Sequence, residues 1–303
     1  MPGVTAALVL GSIVPDADAA LAARGFDLYL RAHASGTHSL LGTIGAALVL
    51  ALVLRTRVRG SRFVTLLVAA WVGAVGHIVW DLADGSDMKV LGPFSDAVFG
   101  WHLVAMGDPL VLAVLAAAIV CAWRWPLRAQ PIAVGAVVML AVLLAAKEVS
   151  QTWARARYCE AVARGAPEPL EFAPEFGRLF AWTIYDRVGD RVRAWRVDSW
   201  LGTVSLAFER RDAPDSPVVA TSRDLPIVKR FLALSKIPFV RVEDNGPHRL
   251  VLWSDVRSCS TTGCDLSFGG AFDATAPRYQ LIEIGRFRQI RPLPSDRSGS
   301  TSR

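Results

Sequence analysis

Histidine and aspartate side chains gather at three places where an apolar segment of the chain begins or ends. When deprotonated, each can give a lone pair to a metal ion, and imidazole combined with carboxylate suits zinc, manganese or iron. The six candidate ligands are Asp16, Asp18, His33, His38, His77 and Asp81. They predict a divalent metal site, with zinc as the first choice and manganese or iron as alternatives.

The pair formed by His77 and Asp81 is the most informative of the three groups. The two residues are four apart, so they share one face if the segment is helical. The apolar run before them, residues 63–80, is nearly long enough to cross a bilayer. Ionisable groups at the end of such a helix are costly to keep there, which makes them a functional hypothesis. Taken alone, a histidine of this kind is more often a packed residue than a ligand.

The composition separates a membrane part from a soluble part. The chain has 303 residues, of which 52% are hydrophobic and 20% charged, whereas soluble domains carry about 25% charged residues. The apolar excess lies in the first half, which indicates a membrane domain followed by a soluble one. The net charge is +6, but no dense Lys/Arg tract with interleaved aromatics is present, so nucleic-acid binding is not expected.

Five apolar segments and the arginines between them predict a topology. The segments are residues 4–14, 40–54, 63–80, 103–123 and 132–146. Residues 55–62 hold four arginines and residues 124–128 hold two, while the opposite loops, 17–38 and 82–102, hold only Arg24, Arg31 and Lys89. The positive-inside rule puts the arginine turns in the cytoplasm. All six candidate ligands then fall on the outer face, although they did not enter the assignment.

The predicted fold class is an all-α membrane bundle followed by a soluble α+β domain. Four transmembrane helices plus a short N-terminal helix occupy residues 1–147, an extracytoplasmic α+β domain residues 148–291, and a disordered tail residues 292–303. In the second domain we expect strands at 196–209, 248–255 and 279–287, and a helix over 225–236 capped by Asp224. Cys259 can pair with Cys264 or with Cys159, or the thiols stay free.

Several motifs in register point to a known family. They are Leu-Gly-Ser-Ile-Val-Pro-Asp-Ala-Asp at 10–18, Leu-Arg-Ala-His-Ala-Ser-Gly-Thr-His-Ser-Leu at 30–40, Gly-His-Ile-Val-Trp-Asp at 76–81, Gly-Pro-Phe-Ser at 92–95 and Gly-Asp-Pro at 107–109. Over residues 5–147 this pattern resembles the YdjM-like family of membrane-bound, metal-dependent hydrolases of the bacterial inner membrane. The resemblance implies hydrolysis of a phosphoester or lipid-linked substrate beside the bilayer.

Roles for the candidate residues follow from metal-assisted hydrolysis. A bound metal lowers the pKa of water and so supplies the nucleophile, with Asp18 as a candidate general base. Asp18 and His38 are therefore the predicted catalytic residues, and Asp108 is added to the candidate ligands, although an acid at a helix start is also explained by capping.

Two departures from the family pattern support an alternative function. Ala34 stands where the family has an arginine, and the additional Thr-His-containing helix that members carry upstream is not in this sequence. We expect either a start further upstream or one ligand fewer. The alternative is a non-catalytic membrane protein, in which the polar cluster fixes the helix ends and the external domain binds a protein partner.

Overall fold

A computed structural model describes residues 2–23, 28–29, 32–58, 60–162, 170–213, 215–284 and 287–292. The chain divides into two compact units, residues 1–151 with 173–179, and residues 152–172 with 180–303. The predicted order of a helical half followed by a sheet-containing domain is confirmed. Residues 293–303, which make up nearly all of the predicted tail, lie outside the described residues.

The first unit is helical, and its helices begin close to the predicted apolar segments. They are α1 (Val4–Gly11), a 3-10 helix (Val14–Ala23), a π-type turn (His33–Thr37), α2 (Leu40–Arg57), α3 (Phe63–Asp84), α4 (Pro109–Arg124), a 3-10 turn (Pro126–Arg128) and α5 (Ala129–Ala161). The helix α4 begins six residues after the start of the fourth predicted segment, at 109 rather than 103. The reason is that Asp108 caps the helix and Pro109 occupies its first turn.

Three helices among the described residues are long and apolar enough to cross a membrane: Leu40–Arg57, Phe63–Asp84 and Pro126–Ala161. The bent pair Val4–Gly11 and Val14–Leu21, broken by 43°, makes a fourth if it is one span. The helix α4, which was predicted as a full crossing, has only 16 residues, fewer than the roughly 20 that a bilayer core requires.

Glycines allow α1 and α3 to touch through their backbones. A Cβ atom on Gly73 would lie 2.2 Å from the carbonyl oxygen of Leu8, and one on Gly11 would lie 2.2 Å from that of Ala70. Small residues permit this approach between helices in a membrane, where packing replaces the hydrophobic drive. The contact brings Asp16, just beyond α1, to the level of His77, one turn beyond Gly73.

The helix α2 completes a three-helix core of small side chains. Ala47 and Ala51 of α2 are fully buried, and they pack with Ala7, Leu66 and Ala70. The N-terminus of α2 and the C-terminus of α3 lie at the same end of this core, because His38 and His77 touch there. The three elements that carry the candidate ligands are therefore held by close packing.

A buried ion pair joins α4 and α5. Lys147 Nζ lies 3.6 Å from Asp108 Oδ2, and both side chains are fully buried. The same Nζ donates a hydrogen bond of 2.5 Å to the carbonyl oxygen of Arg178, within the same unit. A buried charge needs such partners. Asp108 and the carbonyl oxygen of Arg178 provide them for Lys147, an ionisable residue inside a long apolar helix.

The described residues from 171 to 292 form two antiparallel meander sheets, two short α-helices and a 3-10 turn (Val256–Ser258). The four-stranded sheet has the order β1 to β4, and the five-stranded sheet the order β5 to β9. The strands are β1 (Glu171–Pro174), β2 (Ala181–Val188), β3 (Arg191–Asp198), β4 (Thr203–Arg211), β5 (Pro238–Asn245), β6 (His248–Asp255), β7 (Leu266–Asp273), β8 (Ala276–Ile284) and β9 (Phe287–Pro292); the helices are α6 (Pro217–Ser222) and α7 (Pro226–Leu232).

Several predictions for this part of the chain need correction. The single strand predicted at 196–209 is wrong, because a turn containing Gly202 at φ 71° divides it into β3 and β4. The strand at 248–255 is confirmed as β6. The strand predicted at 279–287 covers the end of β8 and the first residue of β9, and its residues 285–286 lie outside the described residues. The helix α7 ends at Leu232, and its N-cap is Leu225 rather than Asp224. Cys259 is bonded to Cys264, and Cys159 is free.

We expect Gly73→Ala to destabilise the helical unit. The new methyl group would collide with the α1 backbone, and overpacking of this kind costs about 1–3 kcal/mol of unfolding free energy. Gly76→Ala is the matched control, because a Cβ atom there meets nothing within 4 Å. Thermal unfolding in detergent should show a lower midpoint for Gly73→Ala alone, and equal midpoints for the two variants would contradict the close contact.

Candidate metal centre

Four nitrogen and oxygen atoms from three separate elements converge at one point. His38 Nε2 lies 3.3 Å from His77 Nε2, 3.4 Å from Asp16 Oδ1 and 3.4 Å from Asp81 Oδ2. His77 Nε2 lies 3.4 Å from Asp16 Oδ1 and 3.2 Å from Asp81 Oδ2. The group combines residues up to 65 positions apart in the sequence, so it is produced by the tertiary fold.

These five distances are short enough for one ion to contact both atoms of each pair, since ligand atoms at bond lengths of about 2.0–2.2 Å lie roughly 3 Å apart. Asp16, His38 and His77 offer ligand atoms that all lie within 4.8 Å of one another. Asp81 adds its contacts with the two histidines. The chemistry of the donor set, two imidazoles and two carboxylates, also fits a divalent metal.

Local structure explains how each ligand is presented. His77 and Asp81 project from the same face of α3 one turn apart, as the spacing predicted. His38 directly precedes Ser39, which caps α2 by accepting a hydrogen bond of 3.0 Å from the amide of Gly42. The Ser39 hydroxyl also donates to the carbonyl oxygen of Gly36, at 2.8 Å. This cap holds the turn that delivers His38, while the 3-10 helix delivers Asp16.

Asp18 and His33 lie on the other side of the His38 ring. The Asp18 carboxylate accepts a short hydrogen bond from the Thr37 hydroxyl and lies 3.3 Å from His33 Nδ1 and 3.7 Å from His38 Nδ1. Asp18, His33 and His38 thus form a second group that could hold a metal. Both groups use His38, through different ring nitrogens.

The hydrogen bonds around Thr37 determine which nitrogen of His38 carries the proton. The Thr37 hydroxyl gives its single proton to Asp18, so its oxygen accepts from His38 Nδ1, 3.0 Å away. Nε2 is then unprotonated and directs its lone pair toward His77, Asp16 and Asp81. A histidine that binds metal commonly donates its other N–H to an orienting partner, and the chain Asp18–Thr37–His38 supplies that arrangement.

Burial and solvent access differ within the group. The His38 side chain is completely buried, whereas that of Asp16 is 56% exposed. Burial, reinforced by the neighbouring His33, lowers the pKa of His38, so the imidazole is held in the neutral form that binds metals. Asp16 is the carboxylate of the group that solvent reaches most easily.

The predicted ligand Asp108 and two other acidic residues, Asp87 and Asp96, lie outside both groups. Among the residues that the structure describes, Asp108 joins neither set of converging ligands. It accepts a hydrogen bond of 2.9 Å from the amide of Leu110 and faces Lys147, which is a capping and pairing role. Asp87 contacts His102 at 3.2 Å, and Asp96 contacts Lys89 at 2.6 Å.

Two residues beside the group, Thr37 and Tyr29, were not predicted from the sequence. Thr37 bridges Asp18 and His38, and its signal was its position directly before the histidine. Tyr29 stacks on His33, with ring centroids 4.8 Å apart, and its signal was a spacing of four residues. Burial, followed by the charge of Asp18, raises the pKa of Tyr29, so it stays a neutral phenol.

Comparison with known proteins identifies the family. The family model described as YdjM inner membrane protein matches residues 2–154, about half of the chain. The chain belongs to this family. The matched YdjM region contains every residue of both ligand groups, and together with the apolar helices it supports a membrane location. Neither a curated protein nor a solved structure matches the chain.

We expect the double variant His77→Ala/Asp81→Ala to lose its metal. The purified wild type should retain about one equivalent of divalent metal, because four ligand atoms converge on one point. The control is His248→Ala/Asp273→Ala, which removes a contacting His–Asp pair from the second unit. Elemental analysis by mass spectrometry should show metal in the control. Equal metal contents in the two double variants would disprove the site.

We expect Asp18→Asn to weaken metal binding without abolishing it. Loss of an orienting partner typically costs about 10–100-fold in affinity, because His38 Nε2 is then no longer held unprotonated. The isosteric control is Asp84→Asn, whose carboxylate accepts a hydrogen bond of 2.9 Å from Ser86. Competition with a chromogenic chelator measures the affinity. A fall from two metal equivalents to one would instead assign Asp18 as a ligand of a second ion.

Proposed function

We propose that this protein is a membrane-bound, metal-dependent hydrolase that acts on a phosphoester or lipid-linked substrate at the outer face of the cytoplasmic membrane. The observation that carries the proposal is the set of five distances of 3.2–3.4 Å among His38, His77, Asp16 and Asp81. Four electron-rich atoms at such separations, one of them on a solvent-accessible side chain, are suited to hold a catalytic metal.

Zinc is the proposed metal, and His38, His77, Asp16 and Asp81 would hold it. Imidazole and carboxylate donors suit zinc, and manganese or iron are the alternatives for the same nitrogen and oxygen donors. When bound, the ion would supply a water of lowered pKa and polarise the phosphoryl oxygen. The remaining chemistry rests on side chains of the protein.

Asp16 is the group that we assign to proton transfer. Hydrolysis forms a bond between a water oxygen and phosphorus and breaks the bond from phosphorus to the leaving oxygen. The proton released by the water passes to the second carboxylate oxygen of Asp16, which solvent reaches, and the leaving oxygen takes a proton from solvent. Asp18, engaged by Thr37 and 5% exposed, orients His38, a role that replaces the general base expected from the sequence.

The arrangement along the helices supports an outward-facing site. Arg55 and Arg57 lie in the last turn of α2, whereas His38 lies just before its first turn. Likewise Arg62 caps the start of α3, and Asp81 lies near its end. The arginines and the ligands thus occupy opposite ends of the same two spans. By the positive-inside rule the site faces outward. Our proposal that the C-terminal domain lies outside the cytoplasm further requires that both α5 and the short helix α4, of 16 residues, cross the membrane.

We expect the zinc-loaded protein to hydrolyse bis(para-nitrophenyl) phosphate. Chelation should stop the reaction and zinc should restore it, because the ion supplies the nucleophile. The variant His77→Ala/Asp81→Ala should lose activity by about a hundredfold or more, with release of nitrophenolate as the measurement. The control variant His248→Ala/Asp273→Ala should keep it.

Two outcomes would contradict the proposed hydrolase function. Turnover that persists in His77→Ala/Asp81→Ala would trace to a contaminating phosphatase. A fully metallated protein that releases no nitrophenolate from aryl phosphomonoesters or phosphodiesters would favour the alternative function, in which the cluster fixes the helix ends.

A further inference from the structure

An apolar groove of about 890 Å³ extends along α2 from Asp18 and Thr37, two residues that contact His38 of the candidate metal centre. One wall is the 3-10 helix, through Val14, Ala17 and Leu21, and the other is α2. The volume lies within the roughly 300–1,000 Å³ typical of sites for small molecules. The groove is therefore large enough to hold a substantial part of a ligand.

Small residues of α2 line the groove. They include Gly42, Gly45 and Ala46, and a Cβ atom on Gly45 would meet nothing within 4 Å. The lining continues to Val49 and Val53. Since Gly42 and Val53 are eleven residues apart, the groove follows the helix for about 17 Å. This length accommodates an extended hydrocarbon chain.

Polarity changes sharply along the groove. The polar side chains that line it, Asp18, Thr37 and Ser39, all lie at the N-terminal end of α2. Asp18 and Thr37 both contact His38. The apolar end runs toward Val53, inside a helix that is long and apolar enough to cross a membrane. The molecules that reach such a groove from the bilayer are lipids.

We propose that the groove binds the hydrocarbon chain of an amphiphilic phosphoester, with its polar linkage at the Asp18–Thr37 end. This inference rests on the proposed function and specifies its substrate class: a lipid-linked phosphoester rather than a soluble one. Apolar burial of each methylene favours binding. At the polar end, Asp18 and Thr37 contact Nδ1 of His38, whose Nε2 belongs to the candidate metal centre. The chain thus enters from the membrane, and the scissile bond stays at its surface.

The first test compares two substrates in phosphatidylcholine nanodiscs. Hexadecyl para-nitrophenyl phosphate should have a kcat/KM about a hundredfold or more above that of methyl para-nitrophenyl phosphate, because only the longer chain fills the groove. Equal values for the two substrates would overturn the lipid proposal and leave the hydrolase intact.

A matched pair of variants on α2 locates the chain. Val49 lines the groove and is 62% exposed, whereas Leu52 is 51% exposed and lies outside the lining. Val49→Trp should lower kcat/KM for the hexadecyl substrate by about tenfold or more while leaving the methyl substrate unaffected, and Leu52→Trp should change neither. Equal effects of the two substitutions would exclude the groove as the binding site of the hydrocarbon chain.

A binding measurement separates the groove from catalysis. Hexadecyl phosphonate, which cannot be hydrolysed, is given a photoreactive diazirine at the end of its chain and is irradiated with the protein in nanodiscs. Labelled peptides should map to the Gly45–Val53 part of α2, and unlabelled hexadecyl phosphonate should suppress the label. Even if the protein hydrolyses no ester, this labelling experiment still tests whether the groove binds a hydrocarbon chain. Label spread over the exposed faces of α2 and α5, without competition, would mean ordinary annular lipid and overturn the proposal.

Discussion

The candidate metal centre depends on the meeting of four nitrogen and oxygen atoms at the ends of the helices. His38 Nε2, His77 Nε2, Asp16 Oδ1 and Asp81 Oδ2 make five contacts of 3.2–3.4 Å. Two carboxylates and two imidazoles at these separations have too few protons to satisfy one another. A cation would relieve that repulsion, so the same contacts make the group a candidate set of metal ligands.

Close packing of small residues makes this convergence possible. The backbones of α1 and α3 touch at Gly11 and Gly73, and alanines fill the contact with α2. Helices that approach so closely bring their ends within reach of one ion. The ligands also lie at helix ends rather than at mid-span, where a charge would be most costly to bury. Packing and electrostatics therefore favour the same position for the site.

The 3-10 helix and α2 connect the site to the membrane. Ser39 caps α2 next to His38, and Gly45, two turns later, lines the apolar groove. On the 3-10 helix, Asp16 supplies one atom of the four-atom group, while Asp18 contacts the opposite nitrogen of His38. The 3-10 helix and the start of α2 thus carry a candidate metal ligand, its orienting partner and the walls of the groove. Because these roles fall within short stretches, the motifs at 10–18 and 30–40 contain polar residues although apolar segments flank them.

The sequence by itself determined the candidate ligands, the apolar segments and the division into a helical half and a sheet domain. Those properties are local: a period of four residues unites His77 with Asp81, and hydropathy marks helices long enough to cross a membrane. The sequence patterns misplaced the start of α4 and merged β3 with β4. A helix cap and a single glycine turn decide these two boundaries. Only the tertiary structure separated Asp16 from Asp18, on opposite sides of one imidazole, and assigned Asp108 to Lys147. These relations join residues far apart in the chain, and no local pattern encodes which nitrogen of His38 each carboxylate meets.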